Sequence, residues 1–402
     1  MSDHATGGAR PFSVMSKPVG PRCNIDCAYC YYLDKEKLYP DERRFRMSET
    51  VLEAYVRQMI GAARRSGQKA VQFSWQGGEP TLRGLAFYEA AVALQKQLCP
   101  EGMSIANGFQ SNGLLIDDDW AGFFARENFL IGVSVDGPRE IHDRYRRGRS
   151  GKATFEGVMA GIDALRRAGA QYNILCTVHH GNAGKGREVY RFLRGLGTRW
   201  LQFIPVVERR TPGGDLAGAP QIDADPANLV TDWSVRPRAY GKFLCDVFDS
   251  WFRADVGKIS VQFFDEQIAL RRGLEPSLCI LAETCGNALA LEHNGDLYAC
   301  DHYVYPEYRI GNILSADMGE MAGSERMTAF GEAKRDGLTA QCRRCSFRPL
   351  CNGGCPKHRF LTSKDGEAGQ NYFCDSYTMF LRHAGERLGA LAFAAESGMG
   401  AR

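Results

Sequence analysis

The sequence contains no run of eighteen or more apolar residues, which excludes an α-helical membrane span of ordinary length. Met1 to Arg10 lack the apolar stretch of a secretory signal. They read as a short disordered lead-in (1–11), and the protein is expected in the cytoplasm with no membrane partner. Charge of one sign is scarce too: 50 Lys and Arg against 47 Asp and Glu leave a net charge of +3. That balance, with no appended basic domain, gives no ground for a nucleic-acid partner. No internal repeat or low-complexity tract occurs. Histidine is missing between His4 and His142, so no histidine in that interval can complete a zinc site.

Cysteine, by contrast, is plentiful, and 14 of them in a cytoplasmic chain argue for metal or redox chemistry rather than disulfides. Cys23, Cys27 and Cys30 form a C-x3-C-x2-C group inside eight residues. Three thiolates are one fewer than a closed tetrahedral site needs, and a site short of one ligand can bind a substrate or cofactor at the metal. Cys99, Cys176 and Cys245 stand singly in apolar, periodic surroundings and read as buried small hydrophobes. The other eight lie between Cys279 and Cys374. Eight thiols make two four-thiolate sites with none left over. Spacing alone leaves both iron–sulfur clusters and zinc open.

From Pro11 to about Arg272, short β-like runs alternate with helical periodicity. The runs are Phe12–Lys17, Ala70–Trp75, Ser104–Gln110, Leu130–Val135, Tyr172–Val178 and Trp200–Ile204. Helices are predicted at Ser48–Arg65, Leu85–Leu98, Asp117–Arg126, Phe155–Ala168 and Arg187–Leu196, the first capped by Ser48. Such alternation implies right-handed βαβ units and a parallel sheet. Six units are too few for a closed eight-stranded barrel, so an open partial (β/α)6 barrel over 12–236 fits. Its chemistry should lie at the C-terminal strand ends.

Polar, glycine-bearing segments follow those strands. After the second comes Gln76-Gly77-Gly78-Glu79-Pro80, where two glycines permit close backbone approach to a ligand and Glu79 could accept from an amine. A tight turn would use the same glycines. Gln110-Ser111-Asn112-Gly113 and Ser134-Val135-Asp136-Gly137 follow the third and fourth strands. The basic run Arg144-Tyr145-Arg146-Arg147-Gly148-Arg149 is either a solvated face or the source of an arginine that clamps a carboxylate. About Pro205 to Pro237 reads as a long surface excursion that shapes a substrate entrance. A linking segment (237–274) holds a helix, Tyr240–Ala254, and a β-like run, Ile259–Phe264. A cysteine-rich domain (275–380) and a C-terminal helix and tail (381–402) follow. Within that domain Asn294-Gly295 is a hairpin turn between Leu289–Glu292 and Leu297–Ala299, delivering Cys300 and then Asp301.

The triad, with Tyr29 before its last cysteine, resembles the signature of the radical S-adenosylmethionine (SAM) enzymes. Met15-Ser-Lys-Pro-Val-Gly-Pro-Arg-Cys23, Cys30-Tyr31-Tyr32, Trp75-Gln-Gly-Gly-Glu-Pro80, Tyr298-Ala-Cys300-Asp301-His302 and Cys351-Asn-Gly-Gly-Cys355-Pro356 narrow the resemblance to the anaerobic sulfatase-maturating enzymes, from about Phe12 to Leu391. It implies an α/β, TIM-like radical SAM barrel with a C-terminal SPASM domain holding two auxiliary clusters. It also implies SAM and three [4Fe–4S] clusters, held by Cys23/Cys27/Cys30, by Cys279/Cys285/Cys300/Cys355 and by Cys342/Cys345/Cys351/Cys374. Tyr29, Gly77, Gly78, Glu79, Ser134, Arg146 and Val207 would contact SAM, Gln76 and Tyr32 the substrate, and Asp301 would be the base.

The reaction implied is oxidation of a cysteine or serine in a C/S-x-P/A-x-R segment of an unfolded or nascent sulfatase to Cα-formylglycine. It starts with hydrogen abstraction at Cβ by a 5′-deoxyadenosyl radical. An electron donor such as flavodoxin or ferredoxin would reduce the first cluster, and the protein is expected to be a monomer. A SPASM maturase that forms a thioether or crosslink in another peptide, a radical SAM enzyme acting on RNA and a zinc-binding interaction protein are the other readings.

Overall fold

The computed structural model describes residues 11–397. Most of the expected lead-in and the last residues of the expected tail, 398–402, lie outside that range. In β2 (Ala70–Trp75) Val71, Phe73 and Trp75 are buried while Ala70 and Gln72 face out, the period of a half-buried strand. α1 (Glu49–Arg65) starts at Ser48, whose hydroxyl accepts the Val51 amide at 3.2 Å. It buries Val51, Leu52, Tyr55, Val56 and Met59 along one stripe.

The same unit repeats. β1 (Ser13–Ser16), α1 and β2 are followed by α2 (Leu85–Leu98), β3 (Ser104–Ser111), α3 (Asp118–Arg126) and β4 (Leu130–Ser134). Then come α4 (Arg139–Tyr145), α5 (Phe155–Ala168), β5 (Gln171–Val178), α6 (Gly186–Arg194) and β6 (Trp200–Pro205). β1 through β6 are parallel neighbours in chain order. This is the parallel α/β arrangement expected from the strand–helix alternation.

The sheet does not stop at six strands. Past the barrel come β7 (Arg209–Arg210), β8 (Leu229–Val230), α7 (Pro237–Ala254), β9 (Ser260–Val261) and α8 (Gln262–Arg271). The hairpin of β10 (Ala288–Leu291) and β11 (Asp296–Tyr298) follows, and then β12 (Arg309–Asn312). The main sheet has ten strands in the order β12-β11-β10-β1-β2-β3-β4-β5-β6-β9. β10 pairs in parallel with β1, Ser13 facing Ala288 and Ser16 facing Leu291, and the Lys17 amide donates to the Leu291 carbonyl at 2.8 Å. The cysteine-rich C-terminal segment is therefore joined to the barrel through backbone hydrogen bonds.

Two segments differ from their sequence expectation. Of Ile259–Phe264, only Ser260–Val261 pairs as a strand. The rest opens α8, because helical spacing lets Phe263, Phe264 and Gln267 bury together. The 205–236 excursion is not a loose surface loop. β7 pairs with β8, and Arg209 donates to the carbonyls of Gly218 and Asp223, each at 2.8 Å. Glu208 makes a buried 2.5 Å ion pair with Lys357 of the C-terminal domain, tying the excursion down. The last helix (Cys374–Glu396) starts at the last cysteine and packs on α7 and α8. One apolar cluster extends from Trp75, Tyr88 and Phe109 in the barrel to Phe248, Phe264 and Phe380.

Candidate active site

The cysteine triad lies on the loop after β1, and two neighbouring segments hold it. The first is the Gly77-Gly78 turn after β2. The Gly78 amide donates to the Gly20 carbonyl and the Glu79 amide to the Arg22 carbonyl, both at 2.8 Å. A Cβ on Gly78 would stand 2.0 Å from the Arg22 carbonyl oxygen, so this glycine permits close approach to the cluster loop itself. Glu79 is fully buried; its carboxylate accepts from the Thr81 amide (3.1 Å), Thr81 hydroxyl (2.6 Å), Ser111 hydroxyl (2.9 Å) and Asn112 amide (2.7 Å). It stitches the strand ends of β2 and β3 together. Asn112 in turn donates to Asn24 Oδ1 at 2.7 Å and to the Cys23 sulfur at 3.8 Å. Gly78→Ala is expected to displace Pro21–Cys23, costing about 1–3 kcal/mol and lowering iron retention after reconstitution. Wild-type iron content and thermal stability would refute this.

The second brace is the basic run. The Asp26 amide donates to the Arg147 carbonyl (2.7 Å), the Ala28 amide to the Tyr145 carbonyl (3.1 Å), and Arg149 Nε to the Cys23 carbonyl (2.9 Å). Ile25 and Gly148 form an antiparallel bridge.

Arg146 points inward from this run. Its Nε lies 3.0 Å from Asp136 Oδ2, and the ring of Tyr29 sits beneath its guanidinium at 5.5 Å. The Tyr29 hydroxyl also donates to Asp136 Oδ2, at 2.5 Å. Burial pushes the Asp136 carboxyl up, but Arg146 and His179 outweigh it and hold it below its ordinary value. Arg146 Nη2 reaches Thr177 Oγ1 at 3.3 Å. Its other guanidinium N–H groups have no hydrogen-bond partner among the described residues. Ser134, half-buried at the end of β4, makes no side-chain hydrogen bond among them either. Val207, expected as an apolar SAM contact, is buried next to Val206. Side chains alternate along an extended chain, and Val206 packs on Ile25, Cys27 and Tyr29 while Val207 joins the large core.

Asp301 lies where barrel and C-terminal domain meet. β10 runs beside β1, and its hairpin with β11 brings the segment after Tyr298 next to the chain that follows β1. There Lys17 Nζ pairs with Asp301 Oδ1 and donates to Gln76 Oε1. Gln76 donates onward to Gln110 Oε1 at 2.6 Å. The Tyr31 hydroxyl donates to Asp301 Oδ2 at 2.5 Å. Burial pushes the Asp301 carboxyl up, yet Lys17, with His302 and Tyr31, brings it down to about 2. Lys17 is 1% exposed and Asp301 18% exposed, so the carboxylate keeps an open side and the lysine does not. Lys357 sits 3.9 Å above the Tyr31 ring and Lys35 3.3 Å above that of Tyr305. Burial, then the nearby Lys357 charge, lowers Lys35 to about 7.

Tyr32 is placed differently from the expectation of a substrate contact. It is buried, with its hydroxyl on Glu292 and its ring under Lys17 at 4.3 Å. Tyr31, one residue earlier, presents its hydroxyl to Asp301 instead. Sequence reading missed Lys17 and Tyr31 although both lie inside quoted motif stretches, because nothing local tells which side chain meets a residue near position 300.

The late cysteines gather as two sets. Cys279, Cys285, Cys300 and Cys355 are close enough for each thiol's charge to act on others of the set. Cys342, Cys345, Cys351 and Cys374 do likewise and together border a cavity of about 370 Å³. All fourteen cysteines are free thiols. Burial pushes Cys23, Cys351 and Cys355 each up to about 12, so as thiolates they need a positive group beside them. Among the described residues no three His, Cys, Asp or Glu side chains converge tightly enough to hold one metal ion. The cavity bordered by the second set has room for a multi-atom cluster.

Residues 18–193 match the radical SAM superfamily, and residues 279–346 match the SPASM iron–sulfur cluster-binding domain. The chain is 42% identical over 375 residues to a serine-type anaerobic sulfatase-maturating enzyme of Bacteroides thetaiotaomicron, covering 93% of this chain and 90% of that protein. It is 32% identical over 387 residues to a cysteine-type anaerobic sulfatase-maturating enzyme of Clostridium perfringens, covering 94% and 97%. Among solved structures, native anSMEcpe with bound AdoMet and the Kp18Cys peptide superposes with a TM-score of 0.81 at 31% identity, covering 95% of this chain and 99% of that one. No helix among the described residues is long and apolar enough to cross a membrane.

Proposed function

Because the chain belongs to the anaerobic sulfatase-maturating enzymes, a radical SAM family with a SPASM domain, we propose that it oxidises one cysteine or serine of a sulfatase, in a C/S-x-P/A-x-R segment, to Cα-formylglycine. The observation that carries this is the ionised Asp301, open on one side, following Cys300 directly and held by Lys17 at the end of β1. Cys23, Cys27 and Cys30 would hold the SAM-binding cluster, Cys279, Cys285, Cys300 and Cys355 the first auxiliary cluster, and Cys342, Cys345, Cys351 and Cys374 the second. When bound, these clusters and SAM supply the 5′-deoxyadenosyl radical that takes hydrogen from Cβ and accept the electron that the oxidation releases.

The chain's own groups do the rest. The free guanidinium N–H groups of Arg146 and the Ser134 hydroxyl receive polar groups of SAM, beside Tyr29 and the Gly77-Gly78 backbone. Val206 supplies the apolar contact from the segment after β6. Glu79 acts as a positioning residue, since its carboxylate holds Ser111, Asn112 and Thr81. Asp301 takes the proton of the substrate hydroxyl or thiol. Loss of the Cβ hydrogen acidifies that neighbouring O–H or S–H, so a weak base that is always ionised suffices. Gln76 and Tyr31 line the approach to it.

The test is anaerobic reconstitution followed by SAM, a reductant and peptides carrying C-x-P-x-R or S-x-P-x-R. About 12 irons per chain, from three four-iron clusters, and peptide oxidation seen by mass spectrometry are expected. The 42% identical relative is of serine type, which favours turnover of the serine peptide. Iron near four would remove the auxiliary clusters. SAM cleavage with both peptides unaltered would remove the sulfatase substrate.

A further inference from the structure

The basic run contributes more to the surface than the inward Arg146. Arg147 and Ala153 form an antiparallel bridge, and the Gly148 amide donates to the Lys152 carbonyl at 2.9 Å, so the segment folds back as a small hairpin over the cluster loop. Arg147, Arg149 and Lys152 on it, and Arg144 in the last turn of α4 just before it, are all exposed. Among the described residues none of the four makes an ion pair, whereas the exposed arginines nearby do: Arg139 with Glu156, Arg166 with Asp163, Arg167 with Asp118. Nearby acids are mostly committed. Asp143 accepts the Thr154 and Phe155 amides, Asp136 pairs with Arg146, and Glu36 pairs with Arg22. Asp26 is the exposed acid on the loop itself. A chain of net charge +3 thus gathers four cations without an ion pair between positions 144 and 152, with Asp232 the exposed acid beside Arg144.

That place is next to the triad. Arg149 donates to the carbonyl of Cys23, and Asp26 and Ala28, exposed between the cysteines, hydrogen-bond to the same hairpin. A partner seated on the hairpin would stand one hydrogen bond and one residue's backbone from Cys23. We infer that the exposed face of Arg144, Arg147, Arg149 and Lys152 is the docking site for an acidic one-electron carrier protein, which reduces the group held by Cys23, Cys27 and Cys30. One electron passes inward, the carrier is oxidised by one electron, and no bond of the protein changes. Opposite charge steers such an encounter and makes it sensitive to salt. The inference rests on the proposed function only in needing a reducible cluster at the triad.

The test uses the reconstituted holoenzyme without peptide, so that failure of the sulfatase reading leaves it interpretable. Fully reduced flavodoxin is the probe. Neither Arg144 nor Lys152 has a side-chain hydrogen bond or ion pair among the described residues, so Arg144→Glu/Lys152→Glu leaves the hairpin's contacts in place. The double variant should bind flavodoxin at least tenfold more weakly and accept its electrons correspondingly more slowly at limiting carrier. The wild-type affinity should fall as salt is raised. Iron content and reduction by dithionite, which needs no docking, should be unchanged. Arg253→Glu/Lys258→Glu, an equal charge change on the exposed end of α7 and the turn after it, should match wild type. Equal carrier affinity in both double variants and wild type would overturn the inference. So would loss of binding to an RNA oligonucleotide with flavodoxin binding intact.

Discussion

Asp301→Asn is expected to stop peptide oxidation while leaving the iron content and the affinity for SAM as they are. The amide keeps the size and the contact with the Tyr31 hydroxyl but cannot take a proton, and loss of a positioned base costs about 10²–10⁴ in rate. SAM cleavage without peptide should continue, so reductive cleavage and peptide oxidation come apart. The change also strands Lys17, which is 1% exposed. Breaking a buried pair from one side costs about 3–5 kcal/mol, with the lower end apt here because Asp301 keeps one open side. Lys17→Met/Asp301→Asn removes both charges and should recover much of that stability with no recovery of oxidation. A single variant oxidising peptide within tenfold of wild type would rule Asp301 out as the base. Activity returning with stability in the double variant would make its role structural.

Lys17→Met is expected to change the pH profile more than the fold. Asp301 is subject to opposed influences: burial pushes its carboxyl up, and Lys17, with His302 and the Tyr31 hydroxyl, outweighs it and brings the carboxyl to about 2. With its pKa depressed on folding, the pair's contribution to stability is present above the unfolded carboxyl value, near 3.9, and is lost as pH falls from about 4 towards 2. In the wild type Asp301 is ionised across the working range and adds no acid limb to the rate. Removing Lys17 leaves burial opposed mainly by the Tyr31 hydrogen bond. His302 cannot substitute, because burial holds it down to about 4 and it is neutral at pH 7. The carboxyl then rises above its ordinary value, and oxidation should gain an acid limb that higher pH relieves. Rates measured from pH 5.5 to 9 would decide: profiles of the same shape for both proteins would show that Lys17 does not set the charge of Asp301.

The parts of this molecule legible from sequence are those fixed by short-range pattern. The triad, the alternation that builds β2 and α1, and the Asn294-Gly295 hairpin all depend on residues a few positions apart. Ambiguity began where one local pattern serves two structures. Phe263 and Phe264 fit a strand or a helix, and only the neighbouring helices decide. Gly77-Gly78 stand out in the sequence as a place of close approach, and in the structure Gly78 makes room for the Arg22 carbonyl. Adjacent residues were harder still. The choice between Tyr31 and Tyr32, or between Val206 and Val207, depends on which face of the chain meets a partner from a distant segment. Lys17 shows the limit: its role follows from β1 lying beside β10, a pairing no periodicity announces.

That pairing also sets an order of events during synthesis. β1 leaves the ribosome long before β10 and β2 can flank it early, but its other edge waits for Ala288–Leu291. Until then the growing barrel presents an unsatisfied row of amides and carbonyls beside the cysteine triad, and such an edge recruits foreign strands. A chain cut before β10 should therefore aggregate rather than yield a free-standing barrel. In this protein the segment that delivers Cys300 and Asp301 is also the one that closes the first strand.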